Sequence, residues 1–336
     1  MIDRYARQII FPGIGEDGQR KLSSSYIVII GCGALGTIIA TSLVRAGVGK
    51  VRIVDRDFIE YHNLQRQVLF DEDDIKNQLP KAIAAERHLR KVNSSIEIEG
   101  IAADVNYTNI ERLISGADLI LDGLDNFETR FLINDACLKH RIPWIYGGAI
   151  SAYGMTMNII PGETPCFRCI SPTLPHLGTV PTCDTAGVIN PAPFIIGSLQ
   201  SAEAMKILVG AREINRDLIT INVWSGEFNR FKIGARVDCP ACQGKYEFLG
   251  VGFGTRTTSL CGQNAVQVLN PKLGRLSFKE LAMHLKPVGE VSYNEFMLSF
   301  TAGSHEMVIF PDGRAIIKGT TDESLARGLY AKYIGT

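Results

Sequence analysis

The sequence predicts an α/β protein built on a doubly wound, mostly parallel sheet. Three observations predict this class: short β-branched strands alternate with helices over about the first 150 residues, a glycine-rich turn follows the first strand, and an aspartate ends the second. Strands that alternate with helices pair side by side in parallel, because each helix carries the chain back across one face of the sheet.

The elements of this sheet are predicted from the period of the apolar residues. Residues 26–30 (YIVII) form a buried first strand that ends at a glycine, and a helix follows over 35–46. A second strand at 50–54 closes a right-handed strand-helix-strand unit. The pattern continues with a helix over 81–92 and with strands at 96–101, 119–122 and 142–145.

The chain changes character after residue 150. Strands are predicted at 153–161 and 218–233, and a helix at 195–209. Between the strands lies a loop, 161–193, that is rich in Pro, Thr, Cys and Gly. A loop of this length without its own periodicity is often functional.

A tail of about 90 residues follows Gly244. It predicts helices over 278–285 and 322–333 and strands at 296–300, 307–310 and 315–318, with a Pro-Asp-Gly turn at 311–313. We therefore expect a large domain over 1–244 and a small α+β appendage over 245–336.

Composition excludes several classes of protein. The 336 residues carry 35 Lys and Arg against 35 Asp and Glu, so no global field recruits nucleic acid or an anionic membrane surface. No apolar run approaches the ~20 residues that cross a bilayer, and the first residues show no apolar signal region. Four of the eight cysteines lie in two Cys-x-x-Cys pairs, which indicates a reduced, cytoplasmic protein that holds a metal.

A glycine-rich turn, Gly31-Cys-Gly33-Ala34-Leu-Gly36, joins the first strand to its helix. Asp55 lies 19 residues beyond Gly36, at the end of the second strand. This is the Rossmann-like nucleotide-binding geometry: small residues let the backbone approach a ligand, the helix N-terminus attracts phosphate, and the acid takes ribose hydroxyls. The motif alone does not separate NAD, FAD and ATP, and a tight turn without a ligand is the alternative.

Two cations follow near the same end of the sheet. Arg66 stands in Asn63-Leu-Gln65-Arg66-Gln67, and Lys81 begins a helix directly after a proline. Fixed cations suit a triphosphate whose charge must be neutralised as pyrophosphate leaves, whereas hydride transfer needs a flat apolar nicotinamide pocket. Each cation read separately is an ordinary surface charge, but the combination favours ATP.

Carboxylates follow the fourth strand, in Asp122-Gly-Leu-Asp125-Asn126. That position is the carboxyl edge of the sheet, where a carboxylate can hold Mg²⁺ against phosphate oxygens. The alternative is that these residues cap a helix, since Asp and Asn are favoured at the N-cap. One of the two acids can hold the ion while the other caps the helix.

Two Cys-x-x-Cys pairs, Cys166/Cys169 and Cys239/Cys242, are separated by 69 residues. Four thiolates in two such pairs form a closed, structural Cys₄ zinc site, which would brace the C-terminal half of the large domain. A redox pair is the alternative, but it needs only one Cys-x-x-Cys. We therefore predict zinc.

The residues alone leave other candidates ambiguous. Cys183 stands alone in the long loop, either as a nucleophile or, more commonly, as an inert buried thiol. Arg4 and Arg7 precede the first strand and are by default surface charges. No role follows from spacing for the remaining cysteines, Cys32, Cys137 and Cys261.

Together these motifs resemble the ThiF/MoeB family, the bacterial relatives of ubiquitin-activating enzymes. The shared elements are Arg-Tyr-x-Arg-Gln at 4–8, Gly-x-Gly-x-Leu-Gly at 31–36, Ala-Gly-Val-Gly at 46–49, Asn-Leu-Gln-Arg-Gln at 63–67, Pro-Lys at 80–81, Leu-Asp-Asn at 124–126 and the two Cys-x-x-Cys pairs. The likeness runs over about residues 2–244. The tail looks like that of the longer ThiF/MoeB-type proteins of Gram-positive bacteria.

The resemblance implies a reaction. ATP and the C-terminal glycine carboxylate of a small β-grasp sulfur carrier, ThiS or MoaD, would give a carrier acyl-adenylate and pyrophosphate, for thiamine-thiazole or molybdopterin biosynthesis. A separate donor would supply the sulfur, and neither nucleic acid nor a membrane would take part.

The resemblance also assigns roles by motif. Asp55 would bind ribose, and Ala34 stands where relatives often have Gly, which is tolerated unless the turn needs a positive φ there. Arg7 would reach the triphosphate of the neighbouring subunit in a homodimer, and Cys183 matches a cysteine that some members use for a thioester or acyl-disulfide. The nucleotide and its Mg²⁺, the latter on Asp125, would be held by Gly31, Gly33, Gly36, Asn63, Gln65, Arg66, Lys81, Asp125 and Asn126.

Two other hypotheses stay open at this point. An enzyme of the same fold can adenylate a peptide C-terminus in antibiotic biosynthesis, and a peptide substrate in place of a β-grasp carrier would distinguish it. The third hypothesis is a non-catalytic or redox protein that uses the nucleotide fold only to bind NAD or to assemble a complex. Arg66, Lys81 and Asp125 together argue against it.

Overall fold

The computed structural model describes residues 3–175, 183–250, 257–260, 264–269 and 276–334. Two sheets dominate this part of the chain, one of eight strands and one of six. No helix within these ranges is both long enough and apolar enough to span a membrane.

The helices and strands follow one another closely. The α-helices are α1 (Ala6–Ile9), α2 (Gly15–Ser24), α3 (Ala34–Ala46), α4 (Glu72–Lys76), α5 (Lys81–Val92), α6 (Ile110–Ile114), α7 (Phe127–His140), α8 (Phe167–Ile170), α9 (Cys183–Ala186), α10 (Pro191–Val209), α11 (Phe278–Leu285) and α12 (Glu323–Tyr333). The strands are β1 (Tyr26–Ile30), β2 (Lys50–Asp55), β3 (Glu97–Ala102), β4 (Leu119–Asp122), β5 (Trp144–Ile150), β6 (Tyr153–Ile159), β7 (Leu218–Asn222), β8 (Glu227–Phe231), β9 (Thr257–Leu260), β10 (Ala265–Val268), β11 (Glu290–Tyr293), β12 (Leu298–Ala302), β13 (His305–Ile309) and β14 (Ala315–Lys318).

The eight-stranded sheet has the order β3-β2-β1-β4-β5-β6-β7-β8. The first five strands in this order are parallel, and the last three are antiparallel neighbours. β1 lies between β2 and β4, where the direction of winding reverses. A doubly wound sheet binds its ligand at this reversal, beyond the carboxyl ends of the strands. The predicted fold class, a doubly wound and mostly parallel sheet, is confirmed.

β1 explains why helices cover both faces of this sheet. Ile27 and Ile29 belong to one hydrophobic core with residues of α3, α5 and α10, while Val28 and Ile30 belong to a second core with residues of α7. Alternate residues of a strand point to opposite faces, so a continuous apolar run needs cover on both sides.

Several predicted elements have different bounds in the structure. The predicted strand 218–233 is a hairpin of β7 and β8, because the side chain of Asn222 accepts a hydrogen bond from the amide of Trp224 and Gly226 takes a φ of 76°. The predicted strand 142–145 begins only at Trp144. The predicted loop 161–193 contains α8, α9 and the start of α10, since Pro191 suits the first position of a helix.

Among the helices that the sequence does not predict, α7 and α2 both pack against the large sheet. All residues of α7 from 130 to 137 are buried, so the helix has no polar face and no amphipathic period. α2 has the opposite composition, since its buried residues include only one large apolar side chain, Leu22.

The six-stranded sheet is antiparallel, with the order β11-β12-β13-β14-β10-β9, and it shares a separate core with α11 and α12. The predicted helix 278–285 and strand 315–318 are confirmed, and the last helix begins one residue late because Asp322 caps it. β9, β10 and β11 were not predicted. The domain boundary near residue 244 stays a prediction, and Phe248 still packs in the second core of the large sheet.

Candidate active site

The glycine turn after β1 packs backbone against backbone. Gly31 has a φ of +92°, and a Cβ on it would lie 2.6 Å from the carbonyl carbon of Gly123. A Cβ on Gly36 would clash with the carbonyl oxygen of Gly31. Ala34 begins α3 without a positive φ, so alanine is tolerated after Gly33. The amino end of α3, with its free amides, therefore lies at the carboxyl end of β1.

Asp55 ends β2 and holds the glycine turn in place. Its Oδ2 accepts a hydrogen bond from the backbone amide of Cys32 at 2.5 Å, and its Oδ1 accepts one from the amide of Asp57 at 2.7 Å. Burial raises the pKa of this carboxyl, against the opposing effect of the Lys81 ammonium. The carboxylate lies where nucleotide-binding folds hold ribose hydroxyls.

Lys81 is a buried cation among carboxylates. It begins α5 after Pro80, and its Nζ lies 3.3 Å from Oδ2 of Asp57. Burial opposes its charge, but three carboxylates outweigh burial and raise the pKa of the ammonium above its usual value. These carboxylates are Asp57, Asp55 and Asp125. The structure thus brings together Lys81, Asp55 and Asp125, three residues that the sequence indicated separately.

Other charged residues at this edge were missed in the sequence. Nη1 of Arg56 lies 3.1 Å from Oδ1 of Asp104, and Nε of Arg56 lies 3.8 Å from Oδ1 of Asp57. Burial disfavours the charge of Arg56, but Asp104 and Asp57 outweigh burial and raise the pKa of its guanidinium. Burial likewise disfavours the charge of Asp57, but cations led by Lys81 and Arg56 lower the pKa of its carboxyl. The sequence does offer one sign of these residues: a second acid, Asp57, follows two residues after Asp55, just past the end of a buried strand.

The two acids after β4 have different surroundings. Asp122 is fully buried: its Oδ2 lies 2.8 Å from Nε of Arg130, and its Oδ1 accepts a hydrogen bond from the amide of Leu124 at 2.8 Å. Asp125 is exposed and accepts no hydrogen bond from another residue of the described ranges. Asn126 caps α7 through its side-chain oxygen, so the helix-cap alternative is correct for Asn126. Asp122 therefore fixes the loop, and Asp125 is open to a ligand.

The segment from Asn63 to Arg66 lies at and after a 3₁₀ turn. Asn63 is buried, and its Oδ1 accepts a hydrogen bond from the backbone amide three residues earlier at 3.0 Å. Gln65 is exposed, and Nη1 of Arg66 donates to the carbonyl of His62 at 2.8 Å. Within the described chain Arg66 and Lys81 share no hydrogen-bond or ion-pair partner. Their joint action on a phosphate stays a prediction.

The four cysteines of the two pairs meet in one cluster. Sγ of Cys166 lies 3.8 Å from Sγ of Cys169 and 3.5 Å from that of Cys239, and Sγ of Cys169 lies 3.7 Å from that of Cys242. Four sulfurs placed tetrahedrally around zinc, with bonds of ~2.3 Å, are ~3.8 Å apart. The backbone amide of Arg236 also donates to Sγ of Cys169, as amides do beside metal-bound thiolates. The donor set and the spacing fit zinc.

The remaining candidates are one arginine and four cysteines. Arg7 is exposed on α1. Cys183 begins α9, and its side chain lies outside the described part of the structure, as does all of Cys261. Cys32 and Cys137 are buried, and burial raises the pKa of both thiols, as expected of inert cysteines.

The carboxyl edge of the sheet combines cations, helix amides and an open carboxylate around one backbone turn. Lys81 and Arg56 offset negative charge, the start of α3 presents backbone N–H groups, and Asp125 can accept a cation. This arrangement suits a nucleotide that carries several phosphates.

Comparison with known proteins supports this interpretation. The ThiF family pattern matches residues 5–241. The sulfur carrier protein ThiS adenylyltransferase of Bacillus subtilis (strain 168) is 43% identical over 339 residues, covering 100% of both chains. The sulfur carrier protein adenylyltransferase of Thermus thermophilus is 35% identical, covering 72% of this chain and 90% of its own length. Among solved structures, E. coli MccB with ATP matches with a TM-score of 0.63 and 25% identity, over 72% of this chain and 75% of that one.

Proposed function

This chain belongs to the ThiF family and is an adenylyltransferase, and from that premise we propose that it adenylates the C-terminal glycine of a small β-grasp sulfur carrier of the ThiS type. The relative named as a ThiS adenylyltransferase matches the full length of the chain, tail included, which supports ThiS over MoaD and thiamine-thiazole over molybdopterin biosynthesis. Because the chain belongs to an adenylyltransferase family, the hypothesis of a non-catalytic NAD-binding protein is excluded.

The reaction joins two anions. A carboxylate oxygen of the carrier's last glycine attacks the α-phosphorus of ATP, and the bond from that phosphorus to the β-bridging oxygen breaks, so pyrophosphate leaves with the electron pair. Catalysis then consists of positioning and of charge offset at the phosphates, and it needs no enzyme nucleophile.

The buried cation of Lys81 carries the proposal. Its Nζ is held 3.3 Å from Asp57 at the carboxyl edge of the sheet, and surrounding carboxylates keep it charged. Lys81 would stabilise the phosphates of ATP, together with Arg66 and Asn63, while Asp55 would bind ribose beside the glycine turn. A fixed cation at this position suits a triphosphate whose charge must be offset as pyrophosphate leaves.

Asp125 is the residue that would hold Mg²⁺. Its carboxylate is exposed at this edge and has no hydrogen-bond donor within the described chain, and a hard carboxylate oxygen is a preferred ligand of Mg²⁺. When bound, the ion would offset the charge of the phosphate oxygens. Asn126 would act by fixing the start of α7, and thereby the position of Asp125.

The four clustered cysteines would hold a structural zinc ion. All four sulfur atoms lie within 4.8 Å of one another, which leaves no coordination position for a substrate. Zinc would connect α8 to the segment that follows β8, and so hold the antiparallel half of the large sheet to α7. The ligands would be Cys166, Cys169, Cys239 and Cys242.

We assign Arg7 to the active site of the second subunit in a homodimer. The side chain is exposed in the single chain, and two apolar neighbours, Ile10 and Phe11, are 68% and 60% exposed. Exposed apolar groups side by side favour an interface between two copies of the chain. Arg7 would then reach the triphosphate bound by the neighbouring subunit.

The open edge of the large sheet fits the carrier. In the part of the chain that the structure describes, β8 is the last strand of this sheet, and all five of its residues are exposed. Phe228 and Phe231 are half exposed, and Trp224 of the preceding turn is 84% exposed. An open edge lets a partner add a strand while aromatic side chains become buried, and a β-grasp protein supplies such a strand.

Cys183 is kept outside the adenylation step. A thioester or acyl-disulfide with the carrier would belong to the later transfer of sulfur from a separate donor. A Cys183→Ser variant is therefore expected to retain ATP–pyrophosphate exchange.

Carrier-dependent ATP–pyrophosphate exchange tests the proposal. Purified ThiS, MoaD and a ThiS that lacks its last glycine are offered in parallel with labelled pyrophosphate. Exchange with intact ThiS alone is the expected result. Exchange with MoaD alone would assign the protein to molybdopterin biosynthesis, and exchange with neither carrier would move the substrate to a peptide C-terminus, as in antibiotic biosynthesis.

A further inference from the structure

The loop between α4 and α5 leads directly to Lys81. At the end of α4 the amide of Gln78 donates to the carbonyl of Ile75 at 2.9 Å, and the amide of Leu79 donates to the carbonyl of Asp74 at 3.1 Å. A helix that ends with this pair of bonds places its next residue in the left-handed region, where glycine is favoured. Here that residue is Gln78, with a φ of 50°. Neighbouring contacts must therefore hold a residue with a side chain in this conformation.

A turn of the six-stranded sheet supplies such a contact. Asn294 follows β11, and its Nδ2 donates to the carbonyl oxygens of Asn77 and Gln78 at 3.1 and 3.2 Å. Its Oδ1 accepts hydrogen bonds from the amides of Phe296 and Met297 at 2.8 and 2.9 Å. The side chain is thus fixed by its own turn and directs its donor at carbonyls beyond the helical bonds of α4.

The same turn also packs against α5. The ring of Phe296 contacts the first core of the large sheet, and its centre lies 5.3 Å from the guanidinium of Arg87. Nη2 of Arg87 lies 3.5 Å from Oε1 of Glu295. Both side chains of this ion pair are exposed, so the pair contributes little to stability. The packing of Phe296 and the hydrogen bonds of Asn294 are the main contacts of the turn.

The chain has little freedom between this turn and the candidate site. Two residues separate Gln78 from Lys81. The second of them, Pro80, has its φ fixed by the ring at −60° and forms an antiparallel bridge with Phe58. The amide of Lys81 donates to the carbonyl of Asp57 at 2.9 Å. The backbone direction at Gln78 therefore helps to set where α5 begins.

We propose that Asn294 is a positioning residue of the nucleotide site. It holds Gln78 in the left-handed conformation, and it thereby fixes the start of α5, from which the ammonium of Lys81 faces the phosphates of ATP. The inference rests on the proposed function and gives the C-terminal sheet a part in ATP binding. Asn294 acts through Lys81 and needs no contact with the nucleotide.

Calorimetric titration of the full chain with Mg-ATP, without carrier, tests this inference. Asn294→Asp keeps the oxygen that accepts the bonds of the turn and removes the amide that donates to the loop. Loss of two neutral hydrogen bonds should raise the dissociation constant about fivefold. Glu295→Gln, which changes an exposed side chain of the same turn, is the matched control and leaves ATP binding unchanged. An unchanged dissociation constant in a folded Asn294→Asp would overturn the inference.

Two backgrounds distinguish positioning from a merely structural role. Glycine takes a positive φ without strain, so Asn294→Asp should change the dissociation constant by less than about twofold beside Gln78→Gly. Beside Lys81→Met the residue through which Asn294 acts is gone, so Asn294→Asp should add no further loss. Equal losses in the wild-type chain and in both backgrounds would show a merely structural role and overturn the inference.

A second variant guards against misfolding of the turn. If Asn294→Asp does not fold, Asn294→Ala takes its place, and wild-type ATP affinity in that variant would refute the inference. A wild-type chain that binds Mg-ATP without carrier-dependent exchange would refute the proposed substrate and leave the role of Asn294 standing. A wild-type chain that does not bind Mg-ATP would refute the proposed function and this inference together.

Discussion

Lys81→Met removes the one buried ammonium that the structure places among Asp55, Asp57 and Asp125. Exchange should fall by about 10²- to 10³-fold, which is the usual effect of deleting one group that stabilises transition-state charge. Stability should fall as well, because Asp57 loses a partner at 3.3 Å. Breaking a buried pair costs about 3–5 kcal/mol, and we expect the lower end since Asp57 keeps Arg56 at 3.8 Å.

The assay is carrier-dependent ATP–pyrophosphate exchange at saturating ATP, run well below the unfolding temperature of the variant. The pKa of Lys81 is raised, so its contribution to stability is complete below the unfolded-state pKa of ~10.4 and is lost only as pH rises through the higher folded-state value. Assays near neutral pH therefore compare a fully charged ammonium with none.

Lys76→Met is the matched control, since Lys76 pairs with Asp73 at 2.9 Å on the surface and lies outside the site. Neither exchange nor the unfolding temperature should change in that variant. Exchange within about threefold of wild type in a folded Lys81→Met would refute the reasoning, because a residue that stabilises the phosphates cannot be removed at so small a cost.

Three further predictions concern the turn, the metal and one buried acid. Gly36→Ala should lower the unfolding temperature and abolish ATP binding, because the new Cβ meets the carbonyl oxygen of Gly31. Gly33→Ala should fold normally, because its Cβ would lie 3.8 Å from the nearest atom. Equal unfolding temperatures of the two variants would contradict this prediction. Elemental analysis should find one zinc per chain, and Cys166→Ser should lose it and unfold at a lower temperature; a metal-free protein of undiminished stability would exclude zinc. Burial raises the pKa of Asp135 to about 6, so its ionisation destabilises the fold as pH rises from about 4 to 6, and Asp135→Asn should raise the unfolding temperature more at pH 8 than at pH 4; a constant difference between the two pH values would refute this.

Local signals account for the elements that the sequence predicts well. β1 is an apolar run that stops at a glycine, and α5 starts after a proline, so both have the predicted bounds. α7 was missed because burial on all sides erases its period. The sequence predicts a single strand over the hairpin of β7 and β8 because the turn residues, Asn222 and Gly226, are not adjacent.

The residues of the candidate site likewise divide into those that have a local signal in the sequence and those that have none. Gly31, Asp55, Lys81 and Asp125 were predicted because the carboxyl ends of parallel strands meet at one edge of a sheet. The cysteine cluster was predicted because each pair has the spacing of a metal knuckle. The ion pair of Arg56 with Asp104 has no local pattern, since the two residues are far apart in sequence and meet only because β2 and β3 are neighbours in the sheet.

Gly31, Gly36 and Gly123 bring the backbones of the turn after β1 and the loop before α7 into close contact. A Cβ on Gly123 would clash with the carbonyl oxygen of Gly31, so neither loop can change shape without the other. The conformational entropy of both loops is therefore lost on folding rather than on ATP binding. Under the proposed function, such preorganisation would confine adaptation to the surrounding loops and would let carrier specificity diverge at the sheet edge while the nucleotide turn stays fixed.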